Sequence, residues 1–149
     1  MRVVIQRVRH ATVRVGSREV ATIGQGLLVL LGVGRDDGVD DVRYIASKIQ
    51  GLRLFEDEHG KINRSITDVG GEALIVSQFT LYGDCHHGRR PSFVRAAASP
   101  LARELYDDVV RRLRASGLDV RTGEFQATMD VELVNTGPVT VLLDSRRDF

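Results

Sequence analysis

The opening of the chain has the period of a sheet. Residues 1 to 15 set Val3, Val4, Ile5, Val8, Val13 and Val15 among polar neighbours in near alternation, which predicts a strand or a bent pair of strands. Gly16-Ser17 turns the chain, and Arg18 to Ile23 returns as the second arm of a hairpin. Leu27-Leu28-Val29-Leu30-Leu31-Gly32-Val33 is continuously apolar between Gly24, Gly26 and Gly34, the pattern of a central strand buried on both faces. The period then changes. Val42, Ile45, Ala46 and Ile49 are spaced for one face of a helix ending near Gly51, with Asp36 and Asp37 before Gly38 as the expected capping carboxylates.

Beyond Gly51 the signals are shorter. Leu52 to Phe55 and Ile62 flank the turn Asp57-Glu58-His59-Gly60 and predict a second hairpin-like element. Gly70-Gly71 breaks the chain before Ala73-Leu74-Ile75-Val76, a buried strand that runs directly into Ser77-Gln78-Phe79-Thr80. Residues 83 to 98 have no period and predict a loop of a length that compact domains rarely keep without a functional reason. Ser99 is the expected N-cap of a helix with Pro100 at its first position, Leu101, Leu105, Val109 and Leu113 as its buried stripe, and Gly117 as its stop. Asp107 with Arg111 and Asp108 with Arg112 are its expected (i, i+4) pairs. Leu118 to Thr122, Val131 to Val134 and Val139 to Leu143 are three more strand candidates, and the polar tail after Asp144 is expected to fray. Strands, helix, strands, helix, strands, with no repeat and no linker, predict one domain over residues 1–149. The class is α/β, more closely an α+β mixed sheet than a doubly wound parallel one.

Composition adds exclusions. The 42% hydrophobic and 28% charged fractions are those of a soluble globular chain, and a net charge of +1 argues against a chain built as a polyanion binder throughout. Local basic clusters remain: Arg89, Arg90 and Arg95 flank the long loop. Cys85 is the only cysteine, so no internal disulfide forms, which fits a reducing cytoplasm. No apolar run approaches the roughly 20 residues of a membrane span. Gly24-Gln25-Gly26 lacks the third glycine of a dinucleotide fingerprint, and no phosphate-loop lysine follows a glycine run.

Two stretches stand out: Ser77 to Thr80, and Asn135-Thr136-Gly137-Pro138-Val139-Thr140. Neither holds a group that ionises near neutral pH, so chemistry there has to use backbone donors, shape and the substrate's own groups. None of His10, His59, His86 and His87 is placed to activate Ser77 or Thr80, and Ser77 lacks the glycine-flanked elbow of common esterases. Cys85-His86-His87 has no second Cys or His pair at ligand spacing, so neither a metal site nor a cofactor is expected. Gly137-Pro138 interrupts what would otherwise be one strand from Val131 to Leu143. A plain turn accounts for the dipeptide alone. With Thr136 and Thr140 beside it, the break also presents bare carbonyls at a strand junction, and an X-Pro bond can be cis.

At these residues the sequence resembles the D-aminoacyl-tRNA deacylases of the bacterial and eukaryotic Gly-cisPro type. The resemblance spans nearly the whole chain: Ile5-Gln6-Arg7-Val8, the Gly26 to Val33 run, Ser77-Gln78-Phe79-Thr80-Leu81, Arg90-Pro91-Ser92-Phe93, Thr122-Gly123, Phe125, Met129 and Asn135 to Thr140. It implies a small barrel-like α/β domain with two main helices, working as a homodimer in the cytoplasm. It also implies a hydrolase that removes D-amino acids, and glycine, from the 3′ end of tRNA. Gly137-Pro138 of one subunit is then expected to enter the neighbour's pocket with Arg7 holding the loop. Ser77, Gln78, Phe79 and Thr80 line the other wall, and Phe125 and Met129 pack either on the terminal adenine or in the core. Two rival readings stay open: a small-ester hydrolase with Thr80 or Ser77 as acyl acceptor, and a non-catalytic RNA-binding module using Arg89, Arg90 and Arg95.

Overall fold

The alternating start forms one long strand, β1, Arg2–Val15, rather than a bent pair. The computed structural model describes residues 1–149. β2 (Arg18–Ile23) and β3 (Gly26–Gly32) lie antiparallel along one edge of β1, against its second and first halves, and β8 (Asp130–Asp144) runs antiparallel along the other edge. β6 (Glu72–Ser77) pairs parallel with β3, and β7 (Asp119–Thr122) parallel with β6, which gives the order β2-β1-β3-β6-β7 with β8 on β1. Both parallel steps use helical crossovers, α1 (Val39–Gly51) and α2 (Ser99–Ala115). β4 (Arg53–Glu56) and β5 (Ile62–Ser65) make the separate small hairpin.

The continuous apolar runs are explained by two cores. Leu27, Val29, Leu31, Ala73 and Ile75 pack with Val3, Ile5 and Val120 under the helical stripes of Val42, Ile45, Ile49, Leu105, Val109 and Leu113. The alternate residues Leu28, Leu74 and Val76 face the opposite way, against Val8, Ala11, Val13 and Ile23, with Met129, Val131 and Leu133 packed on them. A strand buried on both faces cannot alternate polar and apolar, and here the sheet curls into a nearly closed barrel that buries its second face on itself.

Several local expectations are corrected. Gly38, not an aspartate, is the N-cap of α1, and Asp41 reaches back to accept from the Gly38 amide at 2.8 Å. Asp37 is buried: it accepts from the Gly34 amide at 2.6 Å and pairs with the Met1 ammonium at 2.8 Å, a use that no periodicity announces. Ala98 takes the N-cap position of α2, and Ser99 and Pro100 are its first two residues. The helix carries Arg103 with Asp107, and Asp108 shared by Arg111 and Arg112, instead of an Asp107–Arg111 pair. Gly137-Pro138 does not end a strand, since β8 runs through it with a shift in register.

The tail does not fray. The Ser145 hydroxyl donates to Asp41 at 2.6 Å, Arg146 pairs with Asp37, and Asp148 pairs with Arg2 and Arg95. Burial alone would raise the Asp41 carboxyl, but the Ser145 hydroxyl, the Gly38 amide and nearby positive charge outweigh it and lower its pKa. A depressed carboxylate stabilises the fold above its unfolded pKa and loses that contribution as pH falls through the folded one. Asp41→Asn is therefore expected to destabilise the protein by a constant amount at neutral pH, with the difference shrinking below the ordinary value of 3.8. Urea titrations from pH 7 to pH 3 measure it, and a difference that grows with acidification contradicts the assignment.

Candidate active site

β6 ends at Ser77 beside the end of β3, and the chain then tightens into a 3₁₀ turn, Phe79–Tyr82. Gly32 makes that turn possible: a Cβ there would lie 2.8 Å from the Gln78 carbonyl oxygen, too close for any side chain. The Gln78 amide donates to the Leu31 carbonyl at 2.8 Å, which fastens the entry to the turn. Tyr82 anchors its far end, buried, with its hydroxyl donating to Asp37 at 3.3 Å and Arg2 stacked 4.8 Å from its ring. Burial, and then the Asp37 charge, push its phenol far above the usual range, so it is a structural donor and not an acid. The amides of Phe79 and Thr80 stand at the open N-terminal end of the turn, where a helix leaves its first amides without partners of its own. Gln78 donates from its side chain to the Thr80 hydroxyl. Phe79 is 55% exposed.

Ser77, Gln78 and Phe79 line a cavity of about 520 Å³, with Phe125, Met129 and the first turn of α2 at Ser99 and Ala102. Phe125 is held between Tyr106, 5.9 Å between ring centroids, and the Arg103 guanidinium, 5.1 Å from its ring. Met129 lies over Gly123, where a Cβ would sit 2.7 Å from its sulfur. The two residues are thus half core and half cavity wall. Thr80 is exposed beside this cavity but is not part of its lining.

The second stretch is a bulge. Gln6 faces Thr140 and Val8 faces Asn135, so four residues, 136 to 139, stand opposite Arg7 alone. The Gly137-Pro138 peptide is cis, and Gly137 has φ +133°, a conformation that side chains rarely adopt. A Cβ on Gly137 would meet Val139 Cγ2 at 2.8 Å and Arg7 Nη2 at 2.9 Å. Arg7 sits behind the loop with its side chain 8% exposed, donating from Nε to the Thr136 carbonyl at 2.9 Å and from Nη1 to the Leu54 carbonyl at 2.8 Å; Glu56 lies 3.6 Å from Nη2. Asn135 closes the base of the loop: Oδ1 accepts from the Val139 amide at 2.8 Å, and Nδ2 donates to the Val139 carbonyl at 3.2 Å and the Thr140 hydroxyl at 3.0 Å. Gly137 and Pro138 are exposed on top of this frame.

Within one chain the two stretches do not share a cavity. Thr136 and Arg7 line a different hollow, about 360 Å³, with Arg9, Gln25 and Glu56. Sequence reasoning missed the clamp role of Asn135, the contribution of β4 through Leu54 and Glu56, and the left-handed Gln126 at φ 65° in the cavity wall. An asparagine at the start of a Gly-Pro segment was the one available signal, because its amide can meet both an N–H and a carbonyl. Cys85-His86-His87 forms no cluster: His86 pairs with Asp84 at 2.5 Å, and no group of three or more His, Cys, Asp or Glu side chains is placed to hold a metal. No helix is long and apolar enough to cross a membrane.

Comparison with known proteins agrees over the whole length. The D-Tyr-tRNA(Tyr) deacylase family model matches residues 4–144. The D-aminoacyl-tRNA deacylase of Desulforamulus reducens is 58% identical over 149 residues, 100% of both chains. That of Heliobacterium modesticaldum is 58% identical over 98% of this chain and 97% of its own. The solved structure of the c-Myc DNA unwinding element binding protein superposes with a TM-score of 0.91 at 38% identity, covering 97% of this chain and 98% of that one. These matches place the chain among hydrolases of the aminoacyl-tRNA ester bond. It belongs to the D-aminoacyl-tRNA deacylase family.

Lysine in place of Arg7 keeps the charge but has a single nitrogen and no planar fork to span Thr136 and Leu54. Arg7→Lys is expected to leave one buried carbonyl unmet and cost about 1–3 kcal/mol. Equilibrium urea denaturation measures this, and a loss below about 0.5 kcal/mol, the scatter of ordinary surface changes, contradicts it.

Proposed function

We propose that this chain is a chirality-selective proofreading hydrolase that releases D-amino acids, and glycine, from the 3′ end of tRNA, and that it does so as a homodimer. The observation that carries the reading is the Gly137-Pro138 loop, exposed at its tip and pinned from behind by Arg7 and Asn135. Inverting an α-carbon exchanges its hydrogen and side chain, so rigid main chain pressed against that carbon rejects an L side chain by collision. A D side chain points away from it. Glycine has nothing to collide and passes. The substrate's ammonium donates to the carbonyls of Gly137 and Pro138.

A dimer would account for the separation of the two stretches, with the loop of one copy entering the 520 Å³ cavity of the other. Apolar surface that a single chain leaves open supports this, notably Leu142 at 60% exposed, which lines a small apolar hollow with Val4 and Leu81. Cleavage proceeds by attack of water on the ester carbonyl, assisted by the terminal ribose 2′-hydroxyl, with the amides of Phe79 and Thr80 meeting the oxyanion. Thr80 is then not the nucleophile, in keeping with the lack of any base beside it. Gln78 orients its hydroxyl, Ser77 lines the cavity floor, and Phe125 and Met129 pack on the terminal adenine. A second reading comes from the c-Myc DNA unwinding element binding protein, whose name gives it a DNA partner. It predicts binding without stereoselective cleavage.

Offering D- and L-aminoacyl-tRNA side by side separates these: fast release from the D form alone is expected, and equal release, or none, overturns the proposal. Gly137→Val introduces a side chain where Arg7 and Val139 already stand, and a large loss of D-substrate cleavage, a hundredfold or more at about 1.4 kcal/mol per decade, is expected; unchanged activity refutes the filter. Thr80→Ala should retain a measurable fraction of kcat. Complete loss with binding intact makes Thr80 the nucleophile.

A further inference from the structure

The loop between the 3₁₀ turn and α2 carries charge that the rest of the molecule does not use. Most surface arginines pair with a carboxylate within 4.0 Å: Arg14 with Glu132, Arg18 with Glu124, Arg95 with Asp148, Arg103 with Asp107. Arg89 and Arg90, side by side and exposed at the tip, pair with none and make no side-chain hydrogen bond. The one acidic residue on the same loop, Asp84, is engaged elsewhere. Its carboxylate accepts from the His86 amide at 2.9 Å and contacts the His86 ring at 2.5 Å.

The loop is also fixed to the candidate active site. Asp84 and Ser92 exchange two backbone hydrogen bonds of 2.8 Å and close the tip into a hairpin-like arch. Just past it, Phe93 packs edge-on against Phe79, 5.1 Å between ring centroids, and Phe79 lines the 520 Å³ cavity. Gly83 holds no Cβ where one would lie 3.1 Å from the Phe93 ring and 3.7 Å from Pro91, so the two ends of the arch sit against each other. Arg90 stands three residues before Phe93, which limits the distance between their Cα atoms to about 11 Å. At about 3.4 Å of rise per nucleotide, that is the length of two or three nucleotides of a stacked strand.

We infer that Arg89 and Arg90 are the phosphate contacts of the tRNA acceptor end, holding the backbone of the last few nucleotides while the terminal aminoacyl adenosine enters the cavity beside Phe79. This rests on the proposed tRNA substrate. A chain of net charge +1 has little general attraction for a polyanion, so its affinity has to come from local cations free of carboxylates. Unpaired guanidiniums meet that need, because no internal ion pair has to break when a phosphate arrives. The contacts position the strand and carry no sequence information, which suits the 3′ end common to all tRNA.

The test compares the native protein with Arg89→Ala/Arg90→Ala and Arg89→Lys/Arg90→Lys. Affinity for uncharged tRNA, measured from 50 to 200 mM salt, is expected to fall at least tenfold in the alanine pair. The slope of log K against log salt is expected to shrink by about 1.4, two single-strand phosphate contacts at about 0.7 each. The lysine pair should restore the slope. Cleavage of D-aminoacyl-adenosine, which has no phosphate, should change less than twofold in both. An unchanged slope in the alanine pair overturns the proposal, and so does an equal loss on D-aminoacyl-adenosine, which would mean the substitutions act through Phe93 and Phe79. Native protein that cleaves D-aminoacyl-adenosine but binds no tRNA also sinks the phosphate contacts, and leaves the ester-hydrolase reading standing. Failure to cleave either ester, with tRNA bound and the slope reduced, sinks that reading instead.

Discussion

A guanidinium withdrawn from water has to find acceptors inside the protein, and Arg7 finds them in two elements that are not paired with each other in a sheet. One is the carbonyl of Thr136 at the foot of the β8 bulge; the other is the carbonyl of Leu54 in β4. The bulge adds four residues opposite a single residue of β1, and without a partner for its turned-in carbonyl such an insertion would be mobile. Arg7 converts the insertion into a rigid projection, and Asn135 closes its base from the other side. The small β4–β5 hairpin, which contributes nothing to the main sheet, thereby acquires a part in the site.

The rest of the molecule supplies the platform on which that projection and the 3₁₀ turn are held. β1 is the common strand, paired with β3, β2 and β8. β3 and β6 carry side chains into both cores, so neither strand can slide by one residue without exchanging a whole set of buried side chains for another. Register is therefore tight where the 3₁₀ turn leaves β6. Gly32 and Tyr82 transmit it, the first by leaving room and the second by anchoring the turn to Asp37.

The sheet was legible because its strands differ in kind: alternation in β1, a solid apolar run in β3 and β6, and helical spacing in α1 and α2. The two stretches around Ser77 and Gly137 stood out as candidates because small, hydroxyl-bearing residues are out of place at the ends of such runs. What stayed hidden depends on long-range partners. Asp37 reads as a helix cap, yet besides the nearby Gly34 amide it serves Tyr82 and Met1, which meet it only after folding. The tail after Asp144 reads as frayed because polarity alone is visible there, while its partners Asp41, Arg2 and Arg95 lie 53 or more residues away in the chain. Gly-Pro reads as a strand end, since the rule for proline in a ladder says nothing about a bulge that lifts the proline out of the ladder.

Gly137 has no side chain, so what it offers at the exposed tip is main chain, and a main-chain carbonyl is the same in every amino acid. Drift can therefore alter that part of the surface through its neighbour Pro138, through the frame behind it at Arg7, Asn135 and Val139, or by giving position 137 a side chain it has no room for. Every missense change at a glycine codon adds a Cβ. Variation at the tip is thus filtered at the first step, and natural diversity among such proteins should collect around the clamp, where exchanges can compensate one another, rather than at the point of contact.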